Sequence, residues 1–223
     1  MTLVTAPLGA QVSSPPRADT LSMWIVRGAD TLAVGRQLHF FSVRRESGVA
    51  LLFRVVITDA AVFGPRIDTL ISHLDSGYPV RWVTATPQMT DRIDVTGGRA
   101  KGRVTGAGDQ PVDLDVAVPE GSLHAANIDL ELSRRLLPVG DVLTLHLFIP
   151  NAAGGGDAQF RVEGIETIGA EQAWRIRALN LGNRLTLWVS QRDRRILRQT
   201  MVGPNGVAVL FDRRPLPAPP PRP

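Results

Sequence analysis

The stretch richest in chemistry-bearing side chains is residues 184–211, RLTLWVSQRDRRILRQTMVGPNGVAVLF, where Ser190 and Asp193 lie among arginines. A serine nucleophile needs a general base within reach, and no histidine lies in the C-terminal third of the chain. The same residues read completely as a β-hairpin. With Arg192, Asp193 and Arg194 as the loop, Val189 faces Leu197, Leu185 faces Met201 and Trp188 faces Arg198. The last pairing offers a cation–π contact of about 0.5–1 kcal/mol at an exposed site. A slip of one residue would set Leu187 against Arg198, so the pattern selects the register. Gly203-Pro204-Asn205-Gly206 then supplies a second turn, with Pro at its favoured position. The expectation here is a hairpin, and no residue of the chain is assigned a catalytic role.

Other clusters divide in the same way. Arg99, Lys101 and Arg103 alternate along GGRAKGRVTG and share one face of a strand. They are the candidates for an anionic-headgroup patch, which would imply peripheral membrane association. Asp113 and Asp115 share one face of the following strand, and cross-strand ion pairing with the basic residues is the favoured reading. That pairing also demotes Asp109, Asp113 and Asp115 as a calcium site, since no EF-hand or nonapeptide repeat frames them. His39, His73, His124 and His146 are scattered without the close spacing of zinc ligands, so no metal is expected. His73 and His146 read as partly buried sheet positions. NAAGGGD lacks the Gly-Lys-Ser/Thr of a phosphate-binding loop and reads as a flexible connection. Neither Gly-x-Ser-x-Gly nor His-Glu-x-x-His occurs, and no cofactor is expected.

Composition narrows the class. The chain has 223 residues, 43% hydrophobic and 21% charged, ordinary for a folded globular protein. Its apolar runs are far shorter than the ~20 residues of a membrane-spanning helix. Net charge is only +4. The pI near 10.8 reflects arginine, since every basic residue but Lys101 is one. Basic and acidic residues are interspersed, unlike the clustered basic face of a nucleic-acid binder. Cysteine is absent, which removes disulfides, thiolate metal sites and cysteine nucleophiles.

The elements that must position these residues are mostly strands. Candidates are 21–27, 31–44, 49–58, 66–73, 80–84, 92–96, 99–105 and 112–118, then 142–149, 158–168, 173–180, 184–190, 196–202 and 207–211. Turn chemistry such as ESG, SGYP, TGG and LGN separates them. Many short strands with few helical patterns mean a mainly β, antiparallel protein. One short helix is expected in NIDLELSRRLLPVG, capped by Asn127 and stopped by Pro138 and Gly140, with Ile128, Leu132 and Leu136 as its apolar stripe. Strands such as VALLFRVVI and VLTLHLFI are apolar on both faces, which predicts that both faces are covered, by the helix or by curling of the sheet. The domain reading is a tail over 1–19, one β-rich domain over 20–212 and a disordered Pro-rich tail over 213–223. MTLVTAPLGAQVSSPP resembles the end of a signal peptide, with a mature start near Gln11 and an exported location; as a mere tail it would leave the protein cytoplasmic.

Two stretches, FRVEGIETIGAEQAWRIRAL and the 184–211 hairpin, together with DTLISHLDSGYPVRW, GRAKGRVTG and RRLLPVG, resemble a bacterial family of exported proteins of unknown function. The resemblance implies an envelope protein with a curved antiparallel sheet, similar to the half-barrels of Lol-type lipoprotein carriers, and it transfers no catalytic residue. The resulting expectation is a half-barrel or open barrel with one short helix packed on it. Its function would be non-catalytic: carrying an apolar ligand, a lipid or acyl chain, in a cavity lined by some of Trp24, Phe53, Trp82, Phe148, Trp174 and Trp188. The alternative is an envelope scaffold with a filled core; a hydrolase is a remote third. A void above ~300 Å³ with apolar walls separates carrier from scaffold.

Overall fold

The computed structural model describes residues 17–27, 30–61, 64–105, 110–135, 137–149, 155–180, 184–203 and 206–213. The proposed signal remnant, Asp109, most of NAAGGGD and nearly all of the Pro-rich tail lie outside them. Fifteen strands form among the described residues: β1 Arg17–Arg27, β2 Asp30–Glu46, β3 Val49–Ala60, β4 Arg66–His73, β5 Pro79–Ala85, β6 Thr90–Thr96, β7 Arg99–Thr105 and β8 Pro111–Ala117. There follow β9 Leu123–His124, β10 Val142–Phe148, β11 Gly156–Ile168, β12 Glu171–Ala178, β13 Arg184–Ser190, β14 Ile196–Val202 and β15 Ala208–Asp212. All the expected strands are present, and only the two-residue β9 was not foreseen.

They make one sheet, ordered β8-β7-β6-β5-β4-β3-β2-β1-β15-β14-β13-β12-β11-β10-β9. Every pairing is antiparallel except β9 with β10. The sheet curls on itself. Phe148 of β10, near one end of the order, packs into a cluster with Leu70, Trp82, Ile93 and Ala100 from β4–β7 near the other. The result is an open-barrel architecture whose inner face forms the core. Gly102 lies opposite Ile93 on that face, where a Cβ would overlap the Arg92 carbonyl oxygen, so the crossing needs glycine.

The helix α1 is short, Ile128–Arg134, and follows a 3₁₀ turn over Ala125–Asn127. Ile128 and Leu132 are buried against Leu145, Phe160 and Leu187 as the stripe predicts; Leu136 lies outside the described residues. Two details differ from expectation. Asn127 does not cap the helix with its side chain; it is fully buried and donates to Ser72 Oγ of β4, 3.0 Å away. The helix also stops before Pro138, because Arg135 is already extended.

Two further corrections concern register and faces. In the β13–β14 hairpin, Leu185 pairs with Met201 and Trp188 with Arg198 as expected. Val189, however, pairs with Ile196, because the register shifts after Trp188. In β3 the doubly apolar pattern does not mean two covered faces. Leu52, Arg54, Val56, Thr58 and Ala60 are buried on the inner face. Phe53, Val55 and Ile57 point outward and remain half-buried, beside the exposed Phe40 and Ile67 of the neighbouring strands.

Candidate functional site

Directly paired residues on adjacent strands point to one face, so the pairings define the inner walls. One wall carries the row Phe41, Arg54, Leu70, Trp82 and Ile93. Beside it runs His39, Val56, Asp68, Thr84 and Asp91. The opposite wall carries Met23, Phe211, Gln199, Leu187, Ile176 and Val162. The 3₁₀ turn and α1 insert between the walls, and space remains on both sides of that contact.

The space consists of two hollows, both partly open to solvent: one of about 410 Å³ between the helix and β4–β5, the inner chamber, and one of about 210 Å³ nearer Asp19 and Arg195, the outer chamber. Val56, Leu70, Trp82, Leu147, Leu187 and Met201 give the inner chamber its apolar lining. Leu21, Phe41, Leu52 and Phe211 do so for the outer. Both are bounded by Gln37, His39, Arg54, Asp129, Ile196 and Gln199, which form a mostly polar waist between them. A third hollow, beside Gly48, His73, Asp75 and Arg134, lies at the outer rim. There Arg134 is already engaged, donating to the Leu74 and Asp75 carbonyls.

The waist is built around Arg54, an arginine inside the apolar run of β3. Its Nη1 donates to Asp129 Oδ1 at 2.7 Å and also to the Ala126 carbonyl, which ties the sheet to the helix. Its Nη2 donates to His39 Nδ1 at 3.1 Å. Gln37 gives its amide N–H to Thr58 Oγ1 at 3.0 Å, so its carbonyl oxygen accepts from His39 Nε2 at 3.3 Å. Burial first, and the Arg54 charge second, push His39 down to about 4, so the ring stays neutral and accepts from Arg54. The same two causes push His124 down to about 3. His124 Nδ1 accepts the Ala126 N–H at 3.1 Å, which leaves the proton on Nε2. The charged groups around both chambers are matched in pairs: Arg54 with Asp129, Arg66 with Asp68, Asp19 with Arg213, and Arg195 with Asp193.

The six aromatic candidates do not converge. Trp82 lines the inner chamber. Phe148 is in the packed core against His124. Phe53 lies under the Arg44 guanidinium on the outer face, and Trp174 lies under that of Arg194, 4.2 Å from its ring centre. Trp188 donates to Glu166 at 2.8 Å and has Arg198 over its ring at 5.7 Å. Trp24 is half-buried, adjacent in β1 to the inward Met23. Arg99, Lys101 and Arg103 stand opposite Ala117, Asp115 and Asp113. Arg99 and Lys101 share Asp115, and Arg103 meets Asp113. Ser190 is fully buried and donates to Glu171 at 3.0 Å while accepting turn N–H groups. Its hydroxyl organises the hairpin tip.

No sequence motif singles out Arg54, Gln37, Asp129 or Gln199, and His39 and His124 stand out only as scattered histidines. Arg54 carried a usable signal, a lone charge between LLF and VVI. Its partners Ala126 and Asp129 are more than seventy positions away and carried none. Among the described residues no group of three or more His, Cys, Asp or Glu side chains is placed to hold a metal ion. No helix there is long and apolar enough to cross a membrane.

No protein-family model matches the chain, and no curated protein matches it. A solved structure that it resembles is the crystal structure of a beta-barrel-like protein of domain of unknown function DUF1849 from Brucella abortus. That chain is 12% identical with a TM-score of 0.46, over 91% of this chain and 97% of the other.

Proposed function

We propose that this protein is a non-catalytic carrier or sensor of an apolar ligand, a lipid or acyl chain, held between the walls of the curled sheet. The observation that carries the reading is the inner chamber of about 410 Å³, lined by Val56, Leu70, Trp82, Leu147, Leu187 and Met201 alongside paired charges, which a filled scaffold core would lack. In this reading His39 and His124 serve as neutral bonding groups at the waist, meeting Gln37, Arg54 and the Ala126 N–H. In this reading the protein is exported to the envelope, in line with the signal-like residues of its N-terminal sequence.

The test is native mass spectrometry of the full chain purified from bacteria, before and after extraction with organic solvent. A lipid-sized adduct that disappears on extraction is the expected result. A clean apo mass, together with no uptake of an added apolar fluorophore, would sink the reading in favour of a scaffold.

A further inference from the structure

Within the inner row Met23, Phe211, Gln199, Leu187, Ile176 and Val162, five side chains are apolar and one is an amide. Gln199 is half-buried and borders both chambers. Its side chain makes no hydrogen bond to any described residue, unlike Gln37 across the waist, which is bonded at both ends of its amide. The Gln199 amide faces the space that the two chambers share at the waist, where a ligand entering either chamber would meet it. A leucine there would continue the row but offer no hydrogen bond. The position therefore suits a group that meets a ligand.

The charge pattern says which kind. Arg54, Arg66, Asp68 and Asp129, the charged residues of the inner chamber, are paired among themselves, and His39 and His124 are held neutral. No surplus positive charge waits for a carboxylate or phosphate. An amide offers one acceptor and two donors, which suits a hydroxyl, ester or amide head. Size admits the tail: a chamber of about 410 Å³, within the range of small-molecule sites, has room for one medium-length chain.

Resting on the carrier reading, we propose that the ligand is a single-chain amphiphile with an uncharged hydrogen-bonding head, which Gln199 bonds at the waist while the chain fills the inner chamber beside Trp82.

The experiment uses the full chain and displacement of the uncharged apolar fluorophore N-phenyl-1-naphthylamine. The competitors are 1-monolauroylglycerol, laurate at pH 8, and dioleoylphosphatidylcholine vesicles. Monolauroylglycerol is expected to displace the fluorophore at a concentration about tenfold below laurate, with vesicles weakest. Gln199→Leu is expected to take up the fluorophore as before, to melt no lower than wild type and to lose that tenfold preference. Laurate competing equally well or better, or a Gln199→Leu protein that keeps the preference, overturns the head assignment while leaving the cavity intact. Vesicles competing best overturns the single chain. A wild-type protein that never takes up the fluorophore removes the carrier reading itself. Should Gln199→Leu fail to fold, the wild-type ranking of competitors still decides.

Discussion

The two walls of the barrel solve burial in opposite ways. The wall from β11 to β13 is hydrocarbon: Phe160, Val162, Ile176, Leu187 and Val189 are at most 2% exposed and pack on Leu132 of the helix. The wall from β2 to β6 buries His39, Arg54, Thr58, Ser72, Thr84 and Asp91. Several of these satisfy one another or the helix: Arg54 bonds His39 and Asp129, and Ser72 accepts from Asn127. Hydrocarbon burial is non-directional and tolerates a helix at many angles. A bonded polar wall accepts the helix in one position. The hydrocarbon wall supplies stability and the polar wall supplies placement, and the cavity lies where neither fills the space.

The largest effects should come from breaking each wall at its centre. Phe160→Ala should cost about 3–5 kcal/mol in urea unfolding through lost burial and a new cavity. Arg54→Ala should cost a similar amount, about 3–5 kcal/mol, because it strands a carboxylate and a helix carbonyl inside the barrel. The walls then differ in how they are rescued. Arg54→Met combined with Asp129→Leu should recover much of the Arg54 loss, since a paired charge removed whole leaves nothing stranded. Adding Asp129→Leu to Phe160→Ala should recover nothing. If both combinations behave alike, the polar wall has no special bonding requirement and the contrast fails.

Acid should then separate the walls. His39 and His124 have folded-state values of about 4 and about 3, below the ordinary 6.5. The unfolded chain therefore takes up protons below pH 6.5 that the folded chain refuses until near pH 4. Their contribution to stability is complete above about pH 7 and falls as pH drops from 6.5 toward 4. The dependence of unfolding free energy on pH should approach that of two protons in this window. His39→Gln should remove about one of them. An unchanged slope in that variant would mean that His39 is not neutral beside Arg54.

The difference between the walls also explains what the sequence could reveal. Trp188 opposite Arg198 and Leu185 opposite Met201 are neighbours across one turn, so residue types and turn length sufficed to pair them. Even there the shift that gives Val189 to Ile196 escaped, because a bulge is a local choice between two apolar partners. The hydrocarbon wall shows in alternation, since strands such as AWRIRAL announce their buried face. The polar wall does not. Arg54 inside VALLFRVVI reads as an interruption until the fold brings Asp129 to it, and His39, Gln37 and Gln199 have the residue types of exposed strand positions. Large aromatics mark Trp82 of the inner chamber but not the waist, because aromatic size accompanies packing as readily as a cavity.

The smallest effect concerns the outer surface, where charges meet without either wall's burial. Arg103 and Asp113 are 3.3 Å apart, with side chains 66% and 83% exposed. Water and salt screen such a pair, and holding two long side chains in one geometry offsets its attraction. Arg103→Ala should leave the urea midpoint within experimental scatter and show no dependence on added salt. The same ion pair placed inside, as Arg54 with Asp129, should be sensitive to substitution and nearly indifferent to salt. A marked destabilisation by Arg103→Ala would show that the β7–β8 edge depends on its cross-strand charges. Stability would then be carried at the rim as well as at the walls.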